Sequence, residues 1–305
     1  MLIFLYNCDY FYLNYERFNN AEISTKLSWG GVTPALKGFT LFSCSSLIFT
    51  GLLTVDLNAQ TITITNSNRF INNGHHGATL IVNSSINVIK TNPYRGTSLG
   101  LYHTNIKKLD IQTGASIESW LDTQSTTINQ VDISSKNVAG FHFKGGTKIG
   151  TIDIKQEGRM RSMYMRGNAS IETLNIEGTI AGWSAYGGIN NQGGKINTIN
   201  VKQGGKIEQG VRNNNGTIQT LTINNQGQVQ GGVHNNRNGK INTITVNQGG
   251  IIHNGVRNNN NGTIQTLTIN SGTINGGITN SKTIQTLTIN SGTINGNITN
   301  NGSNA

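Results

Sequence analysis

The stretch Thr263–Asn280 reads T-I-Q-T-L-T-I-N-S-G-T-I-N-G-G-I-T-N, and Thr283–Asn300 repeats it with one change, Asn297 in place of Gly277. Upstream, the opening isoleucine of this unit returns at Ile106, Ile128, Ile149, Ile171, Ile196, Ile218, Ile241, Ile264 and Ile284. The steps are 22, 21, 22, 25, 22, 23, 23 and 20 residues. A period of that size marks a solenoid, in which a unit cannot bury its own apolar face and stacks on its neighbours instead.

Within one copy the apolar residues are Ile264, Leu267, Ile269, Ile274 and Ile278; two repeats earlier they are Ile218, Leu221, Ile223, Val229 and Val233. Leu267 and Ile269 flank Thr268, the period-two pattern of a strand with one buried face. The blocks are β-branched and the breaks are Gly and Asn, which disfavours helix and supplies turns. The pattern predicts an all-β solenoid of about 22 residues per coil, each coil three short strands joined by turns. Nine coils at roughly 4.8 Å each predict a stack about 40 Å long. Its interior would be columns of Ile, Leu and Val.

A second column follows the first. Asn191, Asn213, Asn235, Asn258, Asn280 and Asn300 each lie two residues beyond an apolar one. Stacked identical amides can form a hydrogen-bonded ladder, and Asn also suits turns that need a left-handed backbone. Both readings are structural.

These signals divide the chain into an N-terminal extension (1–38), a signal-like apolar segment (39–59), faint coils or a cap (60–105), the repeats (106–300) and a short tail (301–305). In 60–105 the alternation survives only in Thr61-Ile62-Thr63-Ile64 and Leu80-Ile81-Val82, as expected of an atypical terminal repeat. Lys26 and Lys37 precede the apolar run Phe39–Val55, which ends at Asp56-Leu57-Asn58-Ala59. A basic flank, an apolar core and a small residue fit a secretory signal cleaved after Ala59. An uncleaved anchor and a misassigned start are the alternatives. Cys44 follows Leu41-Phe42-Ser43 but lies inside the apolar run, which argues against a lipid-attachment site. Cys8 and Cys44 are the two cysteines, so the repeats hold no disulfide and must rest on hydrogen bonds and core columns.

From Gln60 onward there are 20 Lys and Arg against 9 Asp and Glu, a net charge of +11, and no acid follows Glu208. Such a surface favours anionic partners. The charges are spread singly, without interleaved aromatics or a nucleic-acid module, so specific nucleic-acid binding is not indicated.

The T-I-Q-T-L-T-I-N-S-G-T-I-N-G repeats behind a basic, signal-like leader resemble the passenger region of autotransporters (type V secretion), above all the Asn/Thr-rich ones of epsilon-proteobacteria. The resemblance covers about Gln60–Asn300 and the leader. It implies a right-handed parallel β-helix, exported and displayed at the cell surface, with few cysteines. It also implies a C-terminal outer-membrane β-barrel translocator. This sequence stops at Asn301-Gly302-Ser303-Asn304-Ala305 without one, which favours a fragment, a remnant gene or a separate transporter.

Several motifs carry residue types that could do chemistry. Gly96-Thr97-Ser98-Leu99-Gly100 has the letters of a nucleophile elbow but no helical period after it. The G-D-S-G of the family's serine-protease members is missing. His75 and His76 are adjacent, so on a strand they diverge, and no Cys/His cluster supports them as metal ligands. Asp110, Asp132 and Asp153 each sit between two core residues and should form an outward column on three coils. Stacked carboxylates repel and invite a cation or a shifted pKa, whereas Lys107, Lys108 and Lys155 lie close enough to neutralise them. Arg212, His234 and Arg257 occupy equivalent places and predict an outward cationic stripe. No catalytic residue, metal or cofactor is assigned. The sequence therefore predicts a surface rod that contacts host or neighbouring cells, with polyanionic glycans as candidate partners. The competing reading is a carbohydrate-active β-helix enzyme similar to polysaccharide lyases.

Overall fold

The computed structural model describes residues 60–90, 96–182 and 187–302. The leader, including Phe39–Ala59 with its cleavage site and both cysteines, lies outside the described residues, as do Ser303–Ala305. Met1–Thr61 and Ile62–Ala305 separate into two units. The second is a parallel β-solenoid, and among the described residues no segment is helical. None therefore is a helix long and apolar enough to cross a membrane.

Each coil contributes a strand to three faces. The first face is an eleven-stranded parallel sheet running from Thr61–Thr63 to Thr283–Asn290. Its register pairs all nine repeat isoleucines, Ile106 with Ile128 and so on to Ile264 with Ile284. Short strands such as Lys206–Ile207 and Gln228–Val229 stack into the second face. Strands such as Val211–Asn214 and Val233–Asn236 stack into the third. In the middle coils one long strand turns the corner and serves both: Ser116–Gln124, Asn137–Phe143 and Arg159–Arg166. The stacking also continues upstream of the clear repeats, because Leu80 pairs with Leu109 and Ile71 with Leu101.

Alternation explains the core. Ile196, Ile199 and Val201 on the first face, Ile207 on the second and Val211 on the third are fully buried, and the same places are buried in the next three coils. Corners must be thin for coils to nest. A Cβ at Gly227 would come within 2.6 Å of the Val201 carbonyl oxygen, and one at Gly250 within 2.6 Å of that of Ile223. The turns before them use left-handed residues, Asn225 and Gln226 at φ 39° and 67° and Gly249 at φ 69°. The last coil, Thr283–Asn300, pairs in register but leaves Ile289 and Ile298 46 % and 51 % exposed.

The Asn column lies inside. Asn191, Asn213, Asn235 and Asn258 have no exposed surface, because two residues beyond an inward Ile or Val is again inward. Each Nδ2 donates to the next coil's Oδ1 at 2.8–2.9 Å, from Asn191 through Asn280 to Asn300. Each also donates to the carbonyl of a nearby turn glycine, Gly194, Gly216, Gly239 or Gly262. The places that precede Asn191 in this column are Met165, Phe143, Thr123 and Leu101. One interior column thus changes from apolar to amide halfway along the stack.

Candidate functional site

The outward neighbours of that interior column form a chemically mixed surface. On the third face Asp122, His142, Tyr164, Asn190, Arg212, His234 and Arg257 stand in unbroken register. The predicted cationic stripe is therefore the later half of a longer column. Its earlier half, Asp122, His142 and Tyr164, lies outside the stripe that the repeat pattern predicts.

Asp122 projects outward between Leu121 and Thr123, both fully buried. Its Oδ1 lies 3.0 Å from His142 Nδ1, and its Oδ2 lies 3.1 Å from Lys144 Nζ. Thr97, on the preceding coil, donates its hydroxyl to Oδ2 at 3.0 Å. Burial pushes the carboxyl up, but the His142 hydrogen bond and the Lys144 charge outweigh it and hold the group below the usual aspartate range. Trp120 stands edge-on to the His142 ring with centroids 5.9 Å apart, and Tyr164 lies on the other side at 5.2 Å. Arg166 stacks over Tyr164 at 4.7 Å, and the Tyr164 hydroxyl donates to Gln192 Oε1 at 2.8 Å. A carboxylate on Nδ1 fixes an imidazole's orientation and leaves Nε2 for another group. His142 Nε2 is buried and has no hydrogen-bond partner among the described residues. Chemically this is an oriented imidazole in an aromatic frame, with its carboxylate already neutralised by Lys144.

Asp110, Asp132 and Asp153 do share one outward column on successive coils. They do not face one another as bare carboxylates. Lys108 Nζ lies 3.8 Å from Asp110 and 2.8 Å from Asp132; Lys155 Nζ lies 3.4 Å from Asp132 and 3.3 Å from Asp153. Gln130 bridges Asp132 and Asp153 at 2.8 and 2.9 Å, and Asn175 donates to Asp153 at 2.8 Å. Burial raises the pKa of Asp132 and of Asp153, and these hydrogen bonds and lysine charges more than reverse it. Lys107, the third candidate neutraliser, makes no ion pair among the described residues. The ammonium groups stand between the carboxylates, where a shared divalent cation would have to sit. Among the described residues no group of three or more His, Cys, Asp or Glu is arranged to hold a metal.

Arg212, His234 and Arg257 are in register as expected from the repeat. Burial is the main cause that keeps the His234 pKa low, and the two flanking arginines add to it against a 3.1 Å contact with the Gly231 carbonyl. At neutral pH the stripe thus carries two fixed charges with a neutral imidazole between them. Ser98 of the elbow-like motif lies on the strand Thr97–Tyr102, fully buried, and accepts a hydrogen bond from the Ser119 amide. His76 Nδ1 accepts one from the Asn105 amide.

Asp122, His142 and Tyr164 do not stand out in the sequence, because their coils lack the V-x-N of the late repeats. The available signal was phase: L-D-T, F-H-F and M-Y-M hold the same inward–outward–inward places as V-R-N and V-H-N. Comparison of the chain with protein-family models, with curated proteins and with solved structures finds no match.

Proposed function

We propose that this chain is an exported, surface-displayed β-solenoid that serves as a binding rod, the passenger of an autotransporter-like system. The observation that carries this reading is the unbroken register of the first face over eleven strands, which builds an extended, repetitive surface. The apolar, basic-flanked segment Phe39–Ala59 supports export, and the cysteine-free repeats suit passage in an unfolded state. Asp110, Asp132 and Asp153 on the first face are tied up in ion pairs with Lys108 and Lys155 rather than gathered in a cleft. Host or neighbouring cells, with polyanionic glycans along the Arg212–His234–Arg257 stripe, are the proposed partners. The test is a fusion of residues 1–70 to a reporter that is active only in the periplasm. Signal there supports the reading, and its absence removes export and the passenger role together.

A second reading, a carbohydrate-active β-helix enzyme, is favoured by one observation, the Asp122–His142 pair beside Trp120 and Tyr164. It expects the purified chain to depolymerise an acidic polysaccharide. It also expects His142→Ala to abolish that activity without lowering the melting temperature by more than a few degrees.

A further inference from the structure

The first face changes character along the stack. The column that holds Asp110, Asp132 and Asp153 passes through Asn175 and Asn200 and becomes Thr222, Thr245, Thr268 and Thr288. The column beside it holds threonine on seven successive coils, from Thr151 to Thr286, and ends Thr220, Thr243, Thr266, Thr286. On the last four coils every strand therefore presents two threonines around an inward Leu or Ile. Leu221, Ile244 and Leu267 are fully buried, so alternation turns both threonines to the outside.

The result is a two-by-four lattice. Strand spacing sets about 4.8 Å between ranks, and two residues along a strand set about 6.6 Å between columns. Threonine is stiff at χ1, so a repeated backbone repeats the positions of methyl and hydroxyl as well. None of these eight hydroxyls makes a hydrogen bond within the protein among the described residues. The amides at the margin of the same face are satisfied by one another instead: Asn247 donates to Asn224 at 2.6 Å, Asn270 to Asn247 at 3.3 Å and Asn290 to Asn270 at 3.0 Å. The one charged residue on these four strands is Lys240, at the start of its strand, and none of the four carries an aromatic residue. A polyelectrolyte would find the single charge of Lys240 and no row of charges to pair with here, and a sugar no ring to stack on.

A partner for identical groups on a regular two-dimensional lattice must itself be periodic and uncharged. We propose that the Thr220–Thr288 lattice is an ice-binding surface. The fixed methyls restrain water in an ordered layer, the free hydroxyls anchor that layer by hydrogen bonds, and the layer merges with the surface of a crystal. Each rank contributes little, and four ranks held rigidly by one sheet act together. This inference stands apart from export and from any cellular partner.

The experiment uses the full purified chain, fluorescently labelled, in contact with slowly growing ice. The wild type is expected to enter the ice and to facet the crystal. Thr243→Tyr with Thr245→Tyr should lose both effects while keeping the β-type circular dichroism spectrum, and Thr279→Tyr on the third face should keep both. Thr268→Lys, one coil away, is the second probe should the double variant fail to fold, and it too should lose both effects. Exclusion of folded wild-type protein from ice overturns the proposal, as does entry of the folded lattice variants at the wild-type level. A face-to-face dimer broken by the lattice variants, with exclusion from ice, assigns the lattice to self-pairing and likewise overturns it.

Discussion

Asn235 is fully buried and yet polar, and the stack accepts it because each coil satisfies the amide of the one before. Replacement by alanine removes two ladder hydrogen bonds and orphans the Asn258 carbonyl oxygen. Asn235→Ala should therefore cost about 3 kcal/mol of unfolding free energy. Asn236→Ala, on the outer side with one 3.2 Å bond to Asn214, should cost less than about 1 kcal/mol. Urea unfolding of the two variants checks the difference, and equal costs would show that the ladder is incidental. The same inside–outside phase separates Leu221 from Thr222. Leu221→Asp buries an unpaired charge and should abolish cooperative unfolding, whereas Thr222→Asp points to solvent and should leave the thermal transition nearly unchanged.

The elements carry opposite electrostatics at the two ends of the third face, and pH separates them. Asp122 has a folded pKa held below its unfolded value near 3.9, so its contribution is full above that value and is lost as pH falls through the folded pKa. Asp122→Asn should lower stability at pH 7 and flatten the acid-induced decline below about pH 4. His234 also has a depressed pKa, but it is a base. As pH drops below about 6.5 the unfolded chain takes up a proton that the folded one resists, and stability declines. His234→Gln should remove that part of the slope below about pH 6.5. Thermal melts across the two intervals test both. If neither variant changes its own interval, the neighbours named for these groups do not control them.

At the scale of the whole stack, the period was legible because the repeat isoleucines are obligatory: each fills the same hole in the next coil. The three-strand coil and the Ile/Leu/Val columns followed from alternation alone. What the pattern concealed was the depth of the Asn column, since Asn serves turns as readily as ladders. It also concealed the Asp122–His142–Tyr164 segment, where the interior partners are Leu, Thr, Phe and Met rather than Val and Asn. Lys108 and Lys155 stand out in the sequence as neutralisers of the Asp110 column, but their reach to a carboxylate on a neighbouring coil, both to Asp132, is not visible in spacing along one strand.

In-register parallel stacking is the property from which every site above follows, and distances between spin labels on one outward column measure it directly. With Cys8 and Cys44 changed to serine, one label at Thr151→Cys is paired in turn with labels at Thr220→Cys, Thr243→Cys, Thr266→Cys and Thr286→Cys. The register places these three, four, five and six coils away. The predicted distances are narrow, rise by about 4.8 Å per coil and reach about 29 Å at Thr286. Broad distributions, or distances that do not climb in equal steps, would contradict the stack.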